Sequence, residues 1–65
     1  MVIINGKEAA EAAGKKLKQY LTEQGYNLAR VAVECNGEIV PKAAYENKVI
    51  GESDHLEVVS FVGGG

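Results

Sequence analysis

Two Asn-Gly pairs, Asn5-Gly6 and Asn36-Gly37, constrain this chain most tightly, because each interrupts a short apolar run. A two-residue hairpin turn needs positive φ at both central positions, which asparagine tolerates and glycine adopts without strain. Val2-Ile3-Ile4 before the first pair therefore reads as a strand entering a hairpin. Val31-Ala32-Val33-Glu34-Cys35 before the second pair alternates, with Val31, Val33 and Cys35 on one face, and Glu38-Ile39-Val40 returns. Pro41 ends that return because it has no amide hydrogen to offer a neighbouring strand. A further strand runs from His55 to Val62, with Leu56 and Val58 on one face and Val59 and Phe61 on the other.

Between the hairpins lies a helix, from Lys15 to Gln24. Leu17, Tyr20 and Leu21 fall at i, i+3 and i+4, forming one apolar stripe that Ala13 extends backwards. Gly25 stands where a left-handed C-terminal cap belongs, with Leu28 as the apolar residue that folds back onto the helix. The segment from Lys7 to Ala12 reads two ways. The turn before it calls for a return strand, but its alanines, Lys7, Glu8 and Glu11 are helix formers, with no β-branched residue among them. Ala43-Ala44-Tyr45 suits one helical turn, Lys48-Val49-Ile50 a short extended piece, and Gly51-Glu52-Ser53-Asp54 a turn. This order is α+β: a mixed sheet with one main helix packed across it. It is the order of a β-grasp, in which the last strand lies beside the first and parallel to it.

With 65 residues the chain has room for one domain, expected over residues 1–62, followed by a flexible glycine tail at 63–65. A single cysteine closes no internal disulfide, and one histidine with one cysteine cannot complete a four-ligand zinc site. The net charge of −2 argues against a nucleic-acid partner. No apolar run approaches the ~20 residues of a membrane span, and Met1-Val2-Ile3-Ile4 turns polar at Asn5, unlike an export signal. A lone thiol in that setting suits a cytoplasmic location.

The hairpin Asn36-Gly37-Glu38-Ile39-Val40-Pro41-Lys42 and the terminal Phe61-Val62-Gly63-Gly64-Gly65 resemble those of the thiamin-biosynthesis sulfur carriers, the ubiquitin-like ThiS family. Val31-Ala32-Val33, Ser53-Asp54 and the Asn5-Gly6 turn fall at that family's spacing. The chain departs from it in the alanines of its second strand, and in Gly14 where a helix-capping side chain is expected. It also has Ser53 in place of a glycine, and Lys42 and Tyr45 where arginine and tryptophan are common. The resemblance implies a C-terminal carboxylate, that of Gly65, which an ATP- and magnesium-using partner adenylates. That partner would be ubiquitin-activating-enzyme-like, of the ThiF type. A sulfur donor such as a cysteine desulfurase then converts the adenylate to a thiocarboxylate, which delivers sulfur to a ThiG-type thiazole synthase.

The carrier itself would be no enzyme, binding no cofactor and no metal. Gly63 and Gly64 would thread the partner's active site, since residues without Cβ atoms enter narrow clefts and adopt φ angles closed to others. Val59, Phe61 and Val62 are the expected docking patch for the partner, since Val59 and Phe61 are apolar side chains facing away from the helix next to the tail. Cys35, in phase with Val31 and Val33, reads as a small core residue before it reads as a sulfur relay. His55 reads as a solvated strand-end residue, and the helix lysines as a solvated face. Three other readings remain from sequence: a carrier like the small subunit of molybdopterin synthase, a ubiquitin-like protein modifier, and a plain binding module with a dispensable tail.

Overall fold

A computed structural model describes residues 1–61. Both Asn-Gly pairs are hairpin turns with positive φ throughout: 53° and 81° at Asn5 and Gly6, 53° and 85° at Asn36 and Gly37. The first joins β1 (Ile3–Ile4) to β2 (Lys7–Glu8), and the second joins β3 (Val31–Cys35) to β4 (Glu38–Val40). The final strand β5 (His55–Ser60) inserts between the two hairpins, giving the sheet order β2-β1-β5-β3-β4. It pairs in parallel with β1, Ile3 opposite His55 and Ile4 opposite Leu56, and antiparallel with β3 over five residue pairs. This is the ubiquitin-like β-grasp arrangement that the element order predicts.

The inner face of the sheet carries Val2, Ile4, Val31, Val33, Cys35, Val40, Leu56 and Val58, all buried. Against it packs α1 (Leu17–Glu23), whose Leu17, Tyr20 and Leu21 are the buried stripe read from the sequence. Helix α1 is shorter than the expected 15–24, and Ala13 lies before it in extended conformation. The reason is at its start. Gly14 takes φ +84°, and Lys16 caps the helix with no side-chain hydrogen bond. The free amides of the first turn are satisfied instead by distant carbonyls: Leu17 N donates to Lys48 O and Lys18 N to Tyr45 O, each at 2.8 Å.

The helix ends in a Schellman cap. Gly25 at φ +84° donates to Thr22 O, and Tyr26 N reaches back to Leu21 O at 3.0 Å. The residue in the folding-back position is thus Tyr26 rather than Leu28, although both are half-buried against the core.

The segment after the first turn proves to be strand and then helix, each brief. β2 covers only Lys7–Glu8, and a 3-10 turn follows at Ala10–Ala12. Ala9 N still donates to Val2 O, and Ala9 and Ala12 are buried, so the alanines serve close approach to the core rather than a long strand. Further 3-10 turns at Leu28–Arg30 and Lys42–Ala44 flank the second hairpin. Residues 48–50 are extended as expected: Val49 bridges Lys16, Ile50 N donates to Lys15 O, and Ile50 is 1% exposed. The following turn closes through Asp54 N to Gly51 O, with the Asp54 carboxylate accepting from Gly51 N at 2.8 Å.

Candidate functional site

Strand β5 sorts its side chains by alternation. Leu56 and Val58 enter the core, whereas Val59 and Phe61 are 54% and 57% exposed on the outer face of the sheet. No loop among the described residues covers them, so the expected patch is open at these two positions. Val62, Gly63, Gly64 and Gly65, together with the boundary between domain and tail, lie outside the described residues. Ile39 of β4, 76% exposed, adds a third apolar side chain to the same face. Sequence reasoning missed it. The signal was there, since Val40 beside it is inward and strand neighbours point oppositely.

The register fixes what surrounds this patch. Ala32 stands opposite Val59, and Glu34 stands opposite both Glu57 on one side and Ile39 on the other. Glu8 of β2 stands opposite Ile3 on the outer face. Thus a row Ile39–Glu34–Glu57 crosses the sheet next to the pair Ala32–Val59.

Two asparagine side chains hold β5 in place. The β1–β5 pairing ends at Ile4, but Asn5 N donates to Leu56 O at 2.9 Å, and the Asn5 amide then continues the ladder with its side chain. Its Oδ1 accepts from Val58 N at 2.7 Å and its Nδ2 donates to Val58 O at 3.1 Å. Asn36 acts at the other end of the strand: its Oδ1 accepts from His55 N, and its Nδ2 donates to the Asp54 carboxylate at 3.0 Å. Each turn asparagine therefore adopts the conformation its hairpin needs and also grips the central strand. Beyond Val58, Phe61 N donates to Arg30 O at 2.7 Å, so β5 is tied to the protein up to the last described residue.

The other candidates fall elsewhere. Cys35 is buried on the inner face, opposite Leu56 and Glu38. Burial pushes its thiol pKa up and the negative charge of Asp54 adds to this, with Lys48 opposing. That is the environment of a core residue, not of an activated nucleophile. His55 is exposed and contributes through its backbone. Asp54 is held below the usual carboxylate range, first by the Gly51 amide and then by the Asn36 side chain. Lys15 pairs with Glu23, and Lys18 with Glu46 at 3.5 Å, so two lysines of the expected solvated face make surface ion pairs. Among the described residues no group of three His, Cys, Asp or Glu is placed to hold a metal ion. No helix there is long and apolar enough to cross a membrane.

Known proteins are similar to this chain in sequence, and solved structures are similar to it in fold. A thiazole synthase of Paramagnetospirillum magneticum is 42% identical over 64 residues, which is 98% of this chain and 20% of that protein. A thiazole synthase of Magnetococcus marinus is 39% identical over 62 residues, 95% of this chain and 19% of that protein. The chain thus spans about a fifth of the length of these two relatives. The crystal structure of the thiamine biosynthesis protein ThiS from Geobacter metallireducens superimposes with a TM-score of 0.76 at 27% identity, covering 98% of this chain and 97% of that one. The ThiS family model matches residues 2–65. With its β-grasp sheet and that match over nearly its whole length, the chain belongs to the ThiS family.

Proposed function

We propose that this chain is a sulfur carrier for thiazole formation in thiamin biosynthesis, working through the carboxylate of Gly65. The observation that carries the reading is the ThiS family match, which runs through the three glycines to residue 65. A carboxylate is a poor electrophile and must be activated. One of its oxygens attacks the α-phosphorus of ATP on an adenylating enzyme of the ThiF type, releasing pyrophosphate and leaving an acyl-adenylate. A sulfur atom from a persulfide donor, such as one loaded by a cysteine desulfurase, attacks the acyl carbon. AMP leaves with the C–O electron pair, giving an acyl disulfide with the donor; a second thiol then attacks the donor's sulfur, forms a disulfide with it and releases the thiocarboxylate. A thiazole synthase takes up that sulfur, a partnership supported by the two relatives named for that enzyme.

Beyond that carboxylate the chain supplies no base or nucleophile to these steps; it is a cosubstrate that ATP and magnesium reach only on the partner, in a cytoplasmic setting. Its own work is presentation. Gly63 and Gly64 let the backbone pass a narrow cleft, but ordering each costs on the order of 1–2 kcal/mol of backbone entropy. The folded body offsets that cost. Covering the exposed half of the Phe61 ring contributes about 1–2 kcal/mol, with Val59 adding to it.

The test is intact-mass measurement after incubation with the adenylating enzyme, ATP and a sulfide source. The carrier reading expects one oxygen exchanged for sulfur on Gly65. A lysine-linked adduct instead assigns a protein modifier, and an unchanged mass assigns a binding module.

A further inference from the structure

We propose that Asn36 is a chemical modification site: its side-chain amide closes onto the Gly37 nitrogen, loses ammonia and hydrolyses to a carboxylate that faces Asp54 and loosens the start of β5. The Gly37 nitrogen gives up its proton and bonds to Asn36 Cγ, the Cγ–Nδ2 bond breaks, and ammonia leaves with that proton. Water then opens the ring at either carbonyl, giving aspartate or isoaspartate with no oxidant or reductant. Ring closure needs the following nitrogen to reach Cγ, and glycine allows that approach because it has no Cβ. Asn27 and Asn47 precede the bulkier Leu28 and Lys48, so the two Asn-Gly turns are the candidates. In both, the space beside the glycine is open, and its nitrogen donates to no acceptor among the described residues.

The asparagine side chains decide between the two turns. Each must give up its hydrogen bonds before its carbonyl carbon can swing towards the next nitrogen. Asn5 holds Val58 N and Val58 O, mid-strand and part-buried, so freeing it means parting the first hairpin from β5. Asn36 holds His55 N and the Asp54 carboxylate through exposed bonds, at the first residue of β5 and the turn before it. Strand ends open locally at lower cost than strand centres, so Asn36 is released more often. The product cannot restore what is lost. Where Asn36 Nδ2 donates to Asp54 at 3.0 Å, a second carboxylate puts like charges in place of a hydrogen bond. Lys48 attracts Asp54 but forms no ion pair with it among the described residues, so it offsets only part of the repulsion. Isoaspartate also adds a carbon to the backbone of a two-residue turn, which the pairing of β3 with β4 does not accommodate.

The full chain is held in neutral buffer, folded and in denaturant, and its peptides are followed by mass for the exchange of NH for O. In denaturant, residues 5 and 36 should convert at similar rates. In the folded chain Asn36 should convert at least about fivefold faster than Asn5, and its peptide should take up most of the label from an isoaspartate-specific methyltransferase. Thermal unfolding of variants then tests the consequence. Asn36→Asp should unfold a few degrees below wild type, and adding Asp54→Asn should recover part of that loss, because the facing charges are gone while Gly51 N keeps an acceptor. Conversion at Asn5 as fast as at Asn36, or at neither in the folded chain, overturns the site. An Asn36→Asp chain as stable as wild type, or one that Asp54→Asn destabilises further, overturns its effect on β5.

Discussion

Replacing Asn5 by glycine removes the clamp on Val58 while keeping the turn, since glycine accepts the φ of 53° there at least as well as asparagine. What is lost is the pair of side-chain hydrogen bonds to Val58 N and Val58 O, at 2.7 and 3.1 Å. Each such bond contributes about 0.5–1.5 kcal/mol net, so the pair contributes about 1–3 kcal/mol. The backbone effects oppose each other, because glycine relaxes the positive φ but gains entropy in the unfolded chain. At roughly 0.05–0.15 kcal/mol per residue the whole domain is stable by only about 3–10 kcal/mol. The substitution should therefore lower the midpoint of thermal unfolding by about 5–20 °C. Circular dichroism follows the transition, and amide exchange at Val58 should accelerate in the native state. Asn36→Gly, whose side-chain bonds are more exposed, should cost less. An Asn5→Gly chain that unfolds at or above the wild-type temperature refutes the clamp.

Leu17→Ala should cost about 2–5 kcal/mol by denaturant titration, because the side chain is fully buried, and that is a large share of the domain's stability. Asp54 has a depressed folded-state pKa, so its contribution is complete above the ordinary carboxylate range and is lost as pH falls through the lowered value. Asp54→Asn should accordingly lower stability at neutral pH and flatten its decline in acid, measured by unfolding between pH 2 and 7. Cys35 should react slowly with an alkylating reagent in the native protein and readily once it is unfolded, as followed by mass.

The parts of the fold legible in the sequence are those set by local chemistry. Asn-Gly permits few conformations other than a tight turn, and the alternation of Val31, Val33 and Cys35 leaves one choice of inner face. The outward Val59 and Phe61 follow from the same period of two. What was not legible depends on residues far apart. Helix α1 begins at Leu17 because the carbonyls of Tyr45 and Lys48 receive its first amides, and no neighbouring side chain signals that. The segment 7–12 splits at Ala9 because backbone packing, not propensity, decides where alanines go. The grip of Asn5 on Val58 and the confrontation of Glu34 with Glu57 exist only once β5 lies between the hairpins, so neither is written in any local window.

The claim that recognition belongs to the folded body and chemistry to Gly65 is tested most directly by deleting that one residue. Loss of Gly65 leaves a carboxylate on Gly64, about 3.5 Å short of the position a partner's active site is built to receive. Misplacements of ~1 Å already slow enzymes a hundredfold. With the adenylating enzyme, ATP and sulfide, the deleted chain should show no thiocarboxylate by intact mass, yet bind the enzyme with wild-type affinity. Phe61→Ala should do the reverse, keeping its fold while binding weakly. A deleted chain that gains sulfur at the wild-type rate contradicts the account.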